Sequence, residues 1–135
     1  MSSEELEAEL LSLVERSLAN KKLKEEIVFD IPPETIKIAW RKYFIDLRNF
    51  TCKVHSDEIR HIKKEHPDDV YHICKIHYYL AKFASVERSS TRDIKTGKDI
   101  PCLVFVKKFH DKKIQIVKLN LSRKKILSLK TLFEK

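Results

Sequence analysis

Glycine is almost missing from this chain: Gly97 is the only one in 135 residues. P-loops and dinucleotide-binding turns each need several glycines, so any phosphate recognition must come from side chains. Cysteine is sparse and scattered. Cys52, Cys74 and Cys102 form no Cys-x-x-Cys pair, which favours reduced core thiols over a disulfide framework. No apolar run approaches the roughly 20 residues that span a bilayer, and no apolar stretch follows a basic start as in a signal peptide. The expectation is action in the cytoplasm without membrane contact, with delivery into another cell inside a larger protein left open. Internal repeats and low-complexity segments are also absent.

What is present is charge, unevenly placed. Residues 1–82 carry 14 Lys and Arg against 15 Asp and Glu, while residues 83–135 carry 14 against 5. A basic half beside a near-neutral half points to a polyanion-binding surface. The plainer reading is a solvated lysine-rich surface. With 42% hydrophobic residues the chain can build a core, and its length suits one compact domain.

Periodicity changes along the chain. Ser2 or Ser3 caps a helix with Leu6, Leu10, Leu13, Val14 and Leu18 at helical spacing. Ile27-Val28-Phe29 reads as a short strand or apolar connector. Pro33 opens a second helix over 34–44, with Ile36, Ala39, Trp40 and Tyr43 on one face. Residues 50–54 have strand character, and Ser56 is expected to cap the next helix. Pro67-Asp68-Asp69 opens a further helix to about Lys82, with Val70, Ile73, Cys74, His77 and Ala81 as its buried stripe. From residue 83 the pattern alternates. Residues 83–87 suggest a strand, and the polar stretch 88–99 reads as a turn or mobile loop. Strands are expected at 102–107, 113–119 and 125–133, joined by hairpin-length connectors. The fold class is therefore α+β, with N-terminal helices packed on a C-terminal antiparallel sheet.

The segment Arg60-His61-Ile62-Lys63-Lys64-Glu65-His66-Pro67 stands out. Five residues of ideal helix turn through about 500°, so His61 and His66 would point apart. Pro67 pushes the preceding residue out of the helical region, so His66 can swing towards the side that His61 faces. Two surface histidines on a lysine-rich helix are the plain reading. Paired histidines beside a basic sheet are also what metal-free RNA cleavage needs. His77, on the apolar stripe, suits a hydrogen-bonded core histidine, and His55 a structural role. His61, His66, His72 and Cys74 could be written as a zinc set, but their spacing matches no usual structural pattern, so neither metal nor cofactor is expected. Thr131 lies in the last strand. Alternation places it with Leu127, Leu129 and Phe133 on one face, and Ser128 and Lys130 on the other.

The order of a strand, Ser56 to His66, a helix, Leu103-Val104-Phe105-Val106-Lys107-Lys108, a hairpin and Leu129-Lys130-Thr131 resembles the phage-encoded nuclease-like domains of the barnase–EndoU–colicin E5/D–RelE superfamily. The resemblance covers residues 50–135, so residues 1–49 would be a helical extension packed on the same core. It implies toxin-type, metal-independent RNA cleavage on an antiparallel sheet. Matching positions are His61 and His66 for the His-x4-His pair, Thr131 for the terminal-strand threonine and Lys107 for the basic residue ending the central strand. On this reading His61, His66 and Thr131 are catalytic, and Arg60, Arg88, Lys107 and Lys130 hold the substrate. The partners would be RNA, with tRNA one candidate, and an acidic antitoxin or immunity protein. Two readings from other classes remain: a non-catalytic basic nucleic-acid-binding module, and an interaction protein docking through its N-terminal leucine helix.

Overall fold

The computed structural model describes residues 2–122 and 124–135. In chain order it contains α1 (Ser3–Ala19), β1 (Glu26–Asp30), α2 (Pro33–Tyr43), β2 (Thr51–His55), α3 (Ser56–Glu65), a 3-10 segment (Pro67–Lys75), α4 (Ile76–Ala81), β3 (Ser85–Arg92), β4 (Asp99–Lys108), β5 (Ile114–Leu121) and β6 (Ile126–Glu134). The α+β class is as the change of periodicity requires. Ser2 caps α1 by accepting from the Glu5 amide at 3.1 Å, and Leu6, Leu10, Leu13 and Val14 bury the apolar stripe.

The six strands form one sheet in the order β1-β2-β6-β5-β4-β3. β4, β5 and β6 are adjacent and antiparallel, as expected. The sheet is not wholly antiparallel, because β2 runs parallel to β6. The expected boundary at residues 49/50 falls between β1 and β2, which pair from Glu26↔His55 to Asp30↔Thr51. One core cluster takes in Leu10 and Leu13 of α1, Ala39 of α2, and Leu103, Leu119 and Leu129 of the sheet.

Three local differences from the sequence expectation have physical causes. First, the helix expected over 67–82 begins as a 3-10 segment. Its three-residue turn stacks positions three apart, so Val70, Ile73 and Ile76 are fully buried, and Tyr79 and Leu80 continue the stripe in α4. Cys74 and His77 are left half-buried. Second, the strand expected over 83–87 is present as Ser85–Arg92 and runs on through the first part of the stretch expected as a loop. It lies at the sheet edge, where polar side chains discourage edge-to-edge pairing and hide the apolar alternation. Gly97, at φ 71°, lies within the tight connection to β4.

Third, β6 carries a bulge. Lys118 pairs with Thr131 but Leu119 pairs with Leu129, so Lys130 is the extra residue. The bulge exchanges the faces of everything after it. Leu127, Leu129 and Leu132 are buried, whereas Thr131 and Phe133 turn to the other face, correcting the alternation expected for Thr131. The pairing then defines two kinds of row across the sheet. Leu129, Leu119 and Leu103, followed by Leu132, Val117, Phe105 and Val86, face the helices. Ser128, Asn120 and Cys102, then Thr131, Lys118 and Val104, then Phe133, Ile116 and Val106, face away. Val104, Val106, Ile116 and Phe133 are half-buried and stand outside the core cluster.

Candidate functional site

The start of α3 is held from two sides. His55, not Ser56, is its N-cap: the His55 Nδ1 accepts from the Asp57 amide at 3.0 Å. That bond makes Nδ1 an acceptor and leaves Nε2 as the donor. Ser56 is buried, donates to the Leu23 carbonyl at 2.8 Å and accepts from the Glu25 amide at 3.1 Å. Arg60 donates to the carbonyls of Ser17, Asn20 and Leu23 at 3.2, 3.1 and 2.8 Å, and to Asp57 at 2.7 Å. It thereby satisfies carbonyls that the end of α1 leaves open. Arg60, a substrate-binding candidate from sequence, is occupied in tying α3 to α1.

Further along α3, His61 is about two-fifths exposed and its Nε2 lies 3.2 Å from Glu65 Oε1. Glu58 stands one turn before it. Burial pushes the Glu58 carboxyl above the ordinary glutamate range, against the opposing pull of Lys130 and His61. His66 ends the helix at φ −136° and ψ 66°, outside the helical region, and its amide donates to the Ile62 carbonyl at 2.7 Å. Its ring stacks on Phe133, with centroids 4.8 Å apart and planes at 18°. Phe133 and Thr131 are two residues apart after the bulge, so both belong to the sheet face turned away from the helices. His61 lies about 7–8 Å back along the helix from His66.

Beside this cluster is a cavity of about 250 Å³ lined by Lys53, His55, Asp57, Glu58, Asn120, Ser128 and Leu129. Glu58 Oε2, Asn120 Oδ1 and Thr131 Oγ1 are buried without a hydrogen-bond partner among the described residues. Native buried polar atoms are rarely left so, and such groups mark strained or functional sites and ordered water. Glu58 interacts with His61 and Lys130, His66 lies against Phe133, and Lys118 pairs with Thr131 on the same sheet face as Phe133, which makes a polar grouping along one margin of the sheet. It can exchange protons and hold an anion.

The other candidates lie elsewhere. Arg88 pairs opposite Leu103 on the helix-covered face and donates to the Phe44 carbonyl at 3.2 Å. Lys107, also on that face, places Nζ 5.2 Å from the Tyr78 ring and 5.9 Å from the Phe109 ring. Neither joins the histidines. His77 is half-buried, and desolvation holds its pKa below the usual histidine range. Its Nδ1 has no partner among the described residues, in contrast to the hydrogen-bonded core histidine expected. His72 lies 3.3 Å from Asp69, and Cys74 donates to the Tyr71 carbonyl. Among the described residues no group of three or more His, Cys, Asp or Glu side chains is placed to hold a metal ion. No described helix is long and apolar enough to cross a membrane.

Sequence reasoning missed Glu58, Lys118, Asn120 and Ser128. Glu58 had a signal, since it sits three residues before His61 on the same helix face, but first-turn acids are usual at helix starts. The sheet residues had none, because their grouping depends on strand register.

No family model, no curated protein and no solved structure matches the chain.

Proposed function

We propose that the chain is a metal-independent endoribonuclease of toxin or mobile-element effector type. The observation that carries the reading is the seat of His66: freed from α3 before Pro67, it stacks on Phe133, on the strand face that also bears Thr131. His61 and Glu58 stand behind it on α3, with Lys130 facing Glu58. One imidazole takes the proton from a ribose 2′-hydroxyl as that oxygen attacks phosphorus. The other gives a proton to the departing 5′-oxygen, leaving a 2′,3′-cyclic phosphate. Glu65 lies beside the His61 Nε2 and can hold that ring in place, and either imidazole can serve as the acid or the base. Lys118 and Lys130 offset the charge that builds on the phosphate. The Thr131 hydroxyl is covered in the free protein, so it meets a phosphate oxygen only when a neighbouring side chain moves aside.

The basic C-terminal half fits RNA as the substrate, and an acidic antitoxin or immunity protein would complement the same charge. The second reading is a non-catalytic nucleic-acid-binding module, favoured by the covered Thr131 hydroxyl. The two separate when purified protein is incubated with tRNA, rRNA and mRNA, with and without EDTA. Cleavage to 2′,3′-cyclic phosphate ends in EDTA, with DNA left intact, supports the enzyme. Salt-dependent binding without cleavage leaves the module. Harmless high-level expression of the wild type alone in a bacterial host would remove the need for an antitoxin.

A further inference from the structure

Helix α2 and its C-terminal residue carry an exposed aromatic pair that the core does not use. Trp40 is 59% exposed and Phe44 74% exposed, with ring centroids 6.5 Å apart and planes at 83°. Each ring keeps a free face. Phe44 is also held at φ 55°, a conformation that suits glycine or asparagine at a helix C-terminus and is unusual for a bulky residue. A large apolar ring thus projects into solvent from a position where glycine would relieve the backbone.

Lys37 and Arg41 precede Trp40 and Phe44 by three residues each and so share their helix face. Lys37, Arg41 and Lys42 are exposed on α2, and Arg88 donates to the Phe44 carbonyl. Arg48 is held by Asp46 through bonds from Nε and Nη2 at 3.0 and 2.9 Å. Asp46, Arg48, Ile36, Lys37 and Trp40 line a cavity of about 260 Å³. Protein–protein interfaces also favour aromatics and arginine, but they are depleted of lysine, which stands here at Lys37 and Lys42. Aromatic rings set among cations are instead the means by which single-stranded nucleic acids are held: bases stack on rings while lysine and arginine follow the phosphates.

We infer that Trp40 and Phe44 form a stacking platform for unpaired bases of a single-stranded nucleic acid, with Lys37, Arg41 and Arg88 as its phosphate contacts. The platform lies towards β3, at the far edge of the sheet from β2. β6 and β3 are separated by three strand spacings, or about 14 Å, so it is a subsite apart from the histidines. It holds whether or not the chain cleaves RNA.

Trp40 is the only tryptophan, so its emission reports this site alone. The test is titration with a 2′-O-methyl RNA octamer, which has no 2′-hydroxyl to attack and cannot be cut by the proposed mechanism. The expected result is saturable quenching of Trp40 emission and weaker binding of a duplex of equal length, whose bases are already stacked. By anisotropy of a labelled octamer, Trp40→Ala and Phe44→Gly each weaken affinity roughly 5- to 100-fold, the range one stacked base supplies, and Trp40→Phe retains most of it. Phe44→Gly should melt no lower than wild type, since glycine suits the left-handed position, so loss of binding in that variant is not loss of fold. Unchanged emission at saturating octamer, equal binding of duplex, or wild-type affinity in Phe44→Gly would overturn the inference.

Discussion

The two faces of the sheet differ in burial and composition although the same strands build both. The helix-covered face is a closed apolar layer, with Leu103, Phe105, Val117, Leu119, Leu129 and Leu132 at 1% exposure or less. The opposite face alternates lysine, threonine and asparagine with half-buried valine, isoleucine and phenylalanine. Near its margin at β6 lie Glu58, His66 and the unpartnered Asn120 and Thr131 side-chain oxygens. The lesson lies in β6, where one extra residue, Lys130, moves Thr131 and Phe133 from the core layer to the outer one. Stability should therefore be concentrated on one face, and chemistry on the other.

The largest contrast is in truncation. Phe105→Ala empties the core layer and should cost about 3–5 kcal/mol, a large part of a total that is typically about 5–15 kcal/mol. Val104→Ala, its neighbour on the outer face, should cost well under half as much. Urea melts of the two variants check this, and equal losses would break the distinction between the faces.

Arg60 sharpens it further. As the tie between α3 and the end of α1, Arg60→Ala should lose about 2 kcal/mol, the scale of hydrogen bonds from a charged donor. Any cleavage, per folded molecule, should keep its KM. A raised KM at unchanged stability would return Arg60 to the substrate.

Smaller effects come from Glu58 and His77, whose burial opposes their charged forms. Glu58 has its folded pKa raised, so its charge weakens the fold as pH rises through the carboxylate range. Glu58→Gln should therefore melt higher than wild type at neutral pH and equally at acid pH. His77 is the opposite case. Its folded pKa is lowered, so the unfolded chain binds the proton more readily and stability falls as pH drops through the usual histidine range. His77→Leu should flatten that limb. Melts across pH 4 to 8 read both, and a wild-type profile from either variant would contradict its assignment.

Much of the fold was legible because it rests on local periodicity. The stripe of α1, the meander of β4 to β6 and the effect of Pro67 on His66 each follow from neighbours within a few residues. What was not legible depends on distant pairing. No local pattern reveals that β2 lies parallel to β6, that β3 is a polar edge strand, or that Lys130 is a bulge. The residues that inherited the wrong face, or no role at all, are those that register alone locates: Thr131, Lys118 and Asn120. Lys107 follows from the resemblance and Arg88 from the basic composition of the C-terminal half, but the register of β3 and β4 places both on the helix side, away from the histidines.

The central claim is that the outer margin of the sheet performs acid–base chemistry through His61 and His66. It is tested most directly by cleavage of RNA in EDTA by the wild type, His61→Ala, His66→Ala and the double variant, each first confirmed as folded by circular dichroism. Each single change should lower the rate by roughly 10²-fold or more, the scale of general acid–base catalysis. The double variant should be little worse than either, because groups acting as a unit are not additive. Wild-type cleavage by the folded double variant would contradict the account.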